Sequence, residues 1–340
     1  MQMDRSGIKR VVILTEGGKN IGTGHISRCT SLYQAFEERG ITPEIIVNGD
    51  ETVEDLLSNK KHWIFNWLED RRKIFCMLDR ADIIIIDSYL ADIGFYEKVS
   101  EMTDVPVYLD DTMRINYPGG VVINGGICAG KMGYKRREDI IYLLGAGYTP
   151  LRKEFWDVPE KEIREGIENV MVTFGGDDMR DMTSKVLRLL IENHPELTKN
   201  VVIGKGFQDI REIERISDKK TNLIYSPDAE GMKKTMLESD IAICAGGQTL
   251  YELARVGVPA IAVVVADNQM NNVKGWEDAG FIEYAGWWED EVVLEEVESG
   301  IGLLREKKER VKISIIGRTF VDGMGARRIV NAIMKTGSSC

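Results

Sequence analysis

The sequence predicts an α/β protein built of two doubly wound, mostly parallel sheet units, and three observations predict it. Short apolar runs rich in Val and Ile alternate with longer amphipathic stretches. The strand candidates are continuously apolar, the pattern of strands covered on both faces. The rhythm breaks near the middle, at Gly145-Ala146-Gly147-Tyr148-Thr149-Pro150. With 340 residues and 43% hydrophobic content, the chain exceeds the usual single domain and can bury two cores.

Taken in order, Val11-Val12-Ile13-Leu14 is the first strand, and a helical pattern follows from about Gly24 to Glu38 with apolar Ile26, Leu32 and Phe36. Further strands of the first half are read at 44–47, 83–86, 105–109, 121–123 and 140–143. A charged stretch then leads into Asn169-Val170-Met171-Val172-Thr173-Phe174. The second half continues with runs at 201–203, 222–225, 241–244 and 259–263. The expected organisation is a Rossmann-like domain over 1–147, a linker over 148–158, a second such domain over 159–315 and a C-terminal helix and tail over 316–340. The helix reads from Ile316 to Met334, interrupted by Gly323 and Gly325. Ligands of open α/β sheets sit beyond the carboxyl ends of the strands, so two such units are expected to face one ligand cleft.

Composition narrows the function. A formal net charge of −11 lacks the basic excess that non-specific nucleic-acid binding requires, so nucleic acid is not an expected partner. A nucleotide pocket survives this charge, because backbone N–H groups and one helix dipole act at short range. The five cysteines form no CxxC pair and read as small core hydrophobes. No apolar run is long enough for a membrane span and Met1-Gln2-Met3-Asp4-Arg5 does not resemble a signal peptide, so a cytoplasmic protein is expected. No metal and no cofactor is expected, since Asp110-Asp111 has no third ligand at a recognisable spacing. The oligomeric state is not readable.

The candidate chemistry lies at the loops that end strands. Gly22-Thr23-Gly24-His25 follows the first strand and opens a helix. Glycines let the backbone approach a ligand there, and a neutral imidazole accepts a proton. The loop lacks the third glycine of the dinucleotide fingerprint. Asp87-Ser88-Tyr89 ends the third strand read, where polar groups point into the crevice; a plain N-capping turn is the competing account. In the second half, Gly175-Gly176-Asp177-Asp178 and Ala245-Gly246-Gly247-Gln248-Thr249 each end a strand and lead into a helix, and two such loops suggest a nucleoside diphosphate. Glu252 stands one helical turn after Thr249, in reach of a ribose or as a capping partner. Asn268 and Gln269, beyond the next strand, read as base or sugar contacts or as an N-cap. His62 and His194 carry no assigned role.

Together these motifs resemble the UDP-2,4-diacetamido-2,4,6-trideoxy-β-L-altropyranose hydrolase family of pseudaminic acid biosynthesis. A wider kinship runs to GT-B glycosyltransferases, including the GlcNAc transferase of peptidoglycan synthesis. The likeness rests on Ile21-Gly22-Thr23-Gly24-His25 with Arg28, Asp87-Ser88-Tyr89, Asp110-Asp111, the linker from Tyr148 to Phe155, Gly175-Gly176-Asp177, Ala245 to Thr249 with Glu252, and Asn268-Gln269. It implies a GT-B-like fold and metal-independent hydrolysis of a UDP-activated amino sugar. In that reaction His25 activates water, Tyr89 assists, and Asn124 and Asp87 lie on the sugar side. The resemblance implies that Gly246, Gly247, Gln248, Thr249 and Glu252 hold UDP. The sequence departs from the family at Thr15-Glu16-Gly17-Gly18 and at 116–120, which bears on the sugar recognised. Transfer of the sugar to an acceptor is the rival activity, followed by 2-epimerisation and by non-catalytic UDP-sugar binding.

Overall fold

The computed structural model describes residues 10–18, 21–22 and 24–337. Thr23, Cys340 and Met1 to Arg5 lie outside the described residues. The chain divides into two compact units, one running to Lys153 and resuming at Gly323, the other Glu154–Asp322.

The first unit begins with β1 (Val11–Gly17), α1 (Gly24–Glu37), β2 (Glu44–Gly49), α2 (Glu54–Leu57), β3 (His62–Ile64) and α3 (Arg71–Leu78). It continues with β4 (Ile83–Asp87), α4 (Ile93–Ser100), β5 (Val105–Leu109), β6 (Gly120–Asn124) and β7 (Ile140–Leu144). Its seven strands run in the order β3-β2-β1-β4-β5-β6-β7, and every registered pair is parallel. β1 and the Ile83 to Asp87 run are buried along their whole length, because helices cover both faces of the sheet. That is why these strands read as unbroken apolar runs. Asp70 and Asp92 cap α3 and α4 by accepting from Lys73 N and Phe95 N.

The second unit holds β8 (Asn169–Thr173), α5 (Met182–Asn193), β9 (Thr198–Ile203), α6 (Arg211–Ile216), β10 (Thr221–Tyr225) and α7 (Ala229–Glu238). After these come β11 (Ile241–Ala245), α8 (Thr249–Val256), β12 (Ala260–Val264), α9 (Met270–Ala279), β13 (Ile282–Trp287), α10 (Val293–Leu304) and α11 (Lys307–Phe320). The strand order is β10-β9-β8-β11-β12-β13, again parallel throughout. α8 and α9 stop at Gly257 and Gly280, both left-handed, the conformation in which glycine ends a helix at little cost.

The C-terminal stretch differs from the expectation of one interrupted helix. α11 already starts at Lys307, and a separate α12 (Gly325–Thr336) follows a break at Gly323, whose φ is +81°. α12 packs on α1 within the first unit. Ala326, Ile329, Val330 and Ile333 are buried, and Arg327 pairs with Glu38 at 2.7 and 2.8 Å. Gly325 is required there, since a Cβ would lie 2.0 Å from the Thr149 carbonyl oxygen. β3, β13 and the short α2 were not legible in the sequence. Cys76 is a further correction to the core reading of the cysteines: it is exposed, on the side of α3 opposite the buried Ile74 and Leu78. No helix among the described residues is long and apolar enough to cross a membrane.

Candidate functional site

In each sheet the strand order reverses direction between the first strand of the unit and its neighbour, β1 beside β4 and β8 beside β11. Crossovers leave to opposite sides at such a point, and the carboxyl ends of the two strands form a natural crevice. All the motif loops singled out after these strands therefore flank a switch point: His25 and Asp87 to Tyr89 in the first unit, Gly175 to Asp177 and Gly246 to Thr249 in the second.

The first switch point holds a compact polar cluster. His25, in the first turn of α1, is 8% exposed and Asp87 is fully buried. The His25 Nδ1 lies 2.6 Å from Asp87 Oδ1. Arg28, one turn along α1, donates to both oxygens of Asp87 at 2.5 Å and to Asp111 Oδ2 at 2.6 Å. Cys29 Sγ also donates to Asp87, at 3.5 Å. Burial works to raise the Asp87 pKa, but the Arg28 guanidinium and His25 overcome it and hold the carboxyl well below the usual carboxylate range. Asp87 is thus a fixed anion. It accepts the Nδ1 proton and leaves the Nε2 lone pair of His25 as the free basic position. No described residue bonds to Nε2.

Tyr89 completes the cluster. Its ring stands edge-on to the imidazole, with centroids 4.6 Å apart at 86°, and its hydroxyl donates to Asp111. Burial, and next the Asp111 charge, push its phenol pKa well above the ordinary value, so Tyr89 serves as a neutral hydrogen-bonding group. Gly22 closes its loop on Gly18 through paired backbone bonds of 2.8 and 3.1 Å. Gly24 opens α1.

Other residues proposed from sequence are placed differently. Asn124 is 1% exposed, and its amide is committed to Tyr134 Oη (3.0 Å) and Gly126 N (2.8 Å), which holds the loop after β6. Asp110 accepts from Tyr134 Oη at 2.6 Å and from the Thr112 and Met113 amides. It shapes the same loop. Among the described residues no group of three or more His, Cys, Asp or Glu side chains could hold a metal ion. His62 and His194 each pair with a glutamate, Glu54 and Glu298, at 3.2 and 2.9 Å. Glu16, unassigned by sequence reasoning, is buried at the end of β1 and bonded to the Ser88-Tyr89 segment. Its only sequence signal was a carboxylate next to a glycine-rich loop.

The second switch point separates two glycine loops that look equivalent in sequence. After β8, the loop with Gly175, Gly176 and Asp177 runs on for several residues before α5. Asp178 fills that helix start, accepting from Met182 N at 3.0 Å and Thr183 N at 2.7 Å. After β11, by contrast, no side chain caps the helix start, and the amides of Gly247, Gln248 and Thr249, like those of Gly175, Gly176 and Asp177, meet no acceptor among the described residues. An uncapped helix start of this kind has the donors and the dipole that suit an anion. The loop is braced from behind. Gln269 Oε1 accepts from Gly246 N (3.2 Å) and Val265 N (3.1 Å), and Asn272 Nδ2 donates to the Gly246 carbonyl at 2.8 Å. A Cβ on Gly246 would come within 2.2 Å of Val273, so glycine is needed for this close packing. Glu252 is buried at 6% exposure, while Gln248 and Asn268 are exposed.

Residues 169–314 match the glycosyltransferase family 28 C-terminal domain. The chain is 25% identical over 335 residues to the spore coat polysaccharide biosynthesis protein SpsG of Bacillus subtilis, covering 94% of this chain and 96% of that protein. It is 23% identical over 269 residues to an uncharacterized protein of Methanocaldococcus jannaschii, covering 75% of this chain and 55% of that one. With the Helicobacter pylori pseudaminic acid cytidylyltransferase and UDP-2,4-diacetamido-2,4,6-trideoxy-beta-L-altropyranose hydrolase it shares 24% over 277 residues, 80% of this chain and 48% of that protein. The chain thus spans about half the length of these last two relatives. Among solved structures, MurG of Acinetobacter baumannii superposes with a TM-score of 0.67 at 14% identity over 96% of this chain and 99% of that one. A putative UDP-N-acetylglucosamine 2-epimerase of Listeria monocytogenes gives 0.67 at 12% over 97% and 98%.

These matches correct the expectation of a UDP-sugar hydrolase. The matched family domain is that of a glycosyltransferase, and the similar solved structures include transferases and epimerases. The hydrolase likeness rests on a relative of which about half is matched. The motif could not separate these activities, because a histidine placed to take a proton from water serves a sugar hydroxyl equally well. The chain has the two-domain GT-B-like fold shared by glycosyltransferases and UDP-sugar epimerases, with Rossmann-like doubly wound units in both halves.

Proposed function

We propose that the protein transfers a sugar from a UDP-activated donor to a hydroxyl of a carbohydrate acceptor. The observation that carries this reading is the His25–Asp87 pair at the first switch point, with Nε2 unpartnered among the described residues and Nδ1 2.6 Å from a buried carboxylate. The acceptor oxygen attacks the anomeric carbon, its proton passes to His25 Nε2, and the bond from that carbon to the diphosphate oxygen breaks. UDP departs with the bonding electrons. The free amides of Gly247, Gln248 and Thr249 suit the charge that gathers on the leaving diphosphate. Glu252, one turn into α8, is suited to the ribose hydroxyls, and the loops at 175–177 and 268–269 to the rest of the nucleotide. A carbohydrate acceptor is supported by the near full-length likeness to a polysaccharide biosynthesis protein.

The test is UDP release from a panel of UDP-sugars, with and without a mixture of glycan acceptors. Release that depends on acceptor, falling about 10²–10⁴-fold in His25→Ala with UDP affinity retained, is the expected result. Equal release without acceptor, with free sugar as product, overturns transfer.

A further inference from the structure

Glu16 is the one buried carboxylate of the first switch point that the chemistry above leaves without a role. It ends β1 at 1% exposure, and among the described residues no lysine or arginine pairs with it. A carboxylate in that position is costly unless both oxygens are bonded. Both are: Oε1 accepts from Tyr89 N at 2.6 Å and Oε2 from Ser88 Oγ at 2.7 Å. Ser88 Oγ in turn accepts from Leu90 N (3.1 Å) and Ala91 N (3.0 Å). The outer side of the segment is held by its carbonyls. Tyr96 Oη and Arg114 donate to Ser88 O, and Arg114 also to Ala91 O.

The consequence falls on His25. Tyr89 is fixed at two ends, its backbone by Glu16 and its hydroxyl by Asp111, and between them its ring stands edge-on against the imidazole. Asp87 holds the opposite side of His25. Any movement of residues 88–91 therefore releases one wall of the imidazole. We propose that Glu16 is a positioning residue that fixes the Tyr89 ring, and through it the orientation of His25. This rests on the reading of His25 as the base.

The protein's three histidines allow a test that needs no substrate. With ¹³C-labelled histidine the full chain gives one ring signal each for His25, His62 and His194, and His25 carries a ring-current displacement from Tyr89. Tyr89→Leu assigns the His25 signal and gives its position without that displacement. Glu16→Gln keeps the volume but turns an amide toward Ser88 Oγ, so the hydroxyl loses its acceptor. The expected result is a His25 signal moved toward the Tyr89→Leu position while those of His62 and His194 stay. Ser88→Ala, which removes the hydroxyl at the other end of the same link, moves it the same way and serves if Glu16→Gln fails to fold. A His25 signal left in place in a folded variant overturns the proposal. Where acceptor-dependent turnover is found, Glu16→Gln lowers kcat by about 10²-fold, the scale of an ångström of misplacement, with the UDP dissociation constant unchanged. Absence of turnover in the native protein counts against the transferase and leaves the histidine signal to decide on Glu16.

Discussion

Two buried charges make residue-scale predictions with definite signs. Asp87→Asn keeps the shape but offers an amide N–H to His25, which favours the tautomer with its proton on Nε2. Turnover is expected to fall about 10²–10⁴-fold. The same change leaves Arg28 short of a buried partner and lowers stability by roughly 3 kcal/mol, measurable by urea unfolding. Because the folded Asp87 pKa lies below its unfolded value, this contribution is complete above about pH 4 and fades on further acidification. The native and Asp87→Asn curves should therefore converge only in strong acid. Lys161 behaves in the opposite sense. Its ammonium, bonded to the Leu237 carbonyl at 2.7 Å, is pushed down to about 8 by burial. Between that value and the unfolded one, near 10.4, the unfolded chain binds more protons. Stability then rises with pH, by up to roughly 3 kcal/mol. Lys161→Met should remove that rise, and stability curves of the two proteins from pH 7 to 10 check it.

At the scale of elements, the two glycine loops of the second unit separate by what caps the helix after each. Asp178 occupies the start of α5, so Asp178→Ala is expected to cost about 1 kcal/mol of stability without changing UDP affinity. The start of α8 has no such cap. A carboxylate placed there, as in Gln248→Asp, would compete with an anionic ligand for the free amides and weaken UDP binding severalfold or more. Calorimetric titration of UDP into both variants checks the contrast. Comparable loss in the two would mean that the diphosphate uses both helix starts.

For the whole molecule, the chain's return to the first unit carries the prediction. α12 covers α1 with Ala326, Ile329, Val330 and Ile333 and anchors through Arg327 to Glu38. A chain ending at Asp322 would leave that apolar face of the first unit in water, while the second unit keeps every strand of its sheet. Hydrogen exchange on the truncated chain should show lost protection for amides of β1 and β4 and retained protection for those of β8 and β11. Uniform loss in both would show that the second unit does not hold its fold alone.

The sequence by itself determined the architecture, because strands covered on both faces need uninterrupted Val and Ile, and that need is visible without coordinates: Val11 to Leu14 and Ile83 to Ile86 could be little else. It also marked His25, Asp87, Tyr89 and the Gly246-Gly247 turn, since each sits where a strand ends and a helix begins. It was silent on β3, whose three residues are too few for a period, and on β13, whose glycine and register shift blur one. Only the tertiary structure decided which candidates meet. Asp87 lies 62 positions from His25 and Asp111 lies 83 from Arg28, distances over which no local pattern speaks. They are joined because the strand order reverses between β1 and β4. The same reversal brings Glu16 under Tyr89, and in the second unit the reversal between β8 and β11 puts two similar glycine turns at neighbouring strand ends, one followed by a helix that Asp178 caps and one by a helix with no side-chain cap. Those outcomes depend on which backbone amides remain unpaired once every strand has found its neighbour.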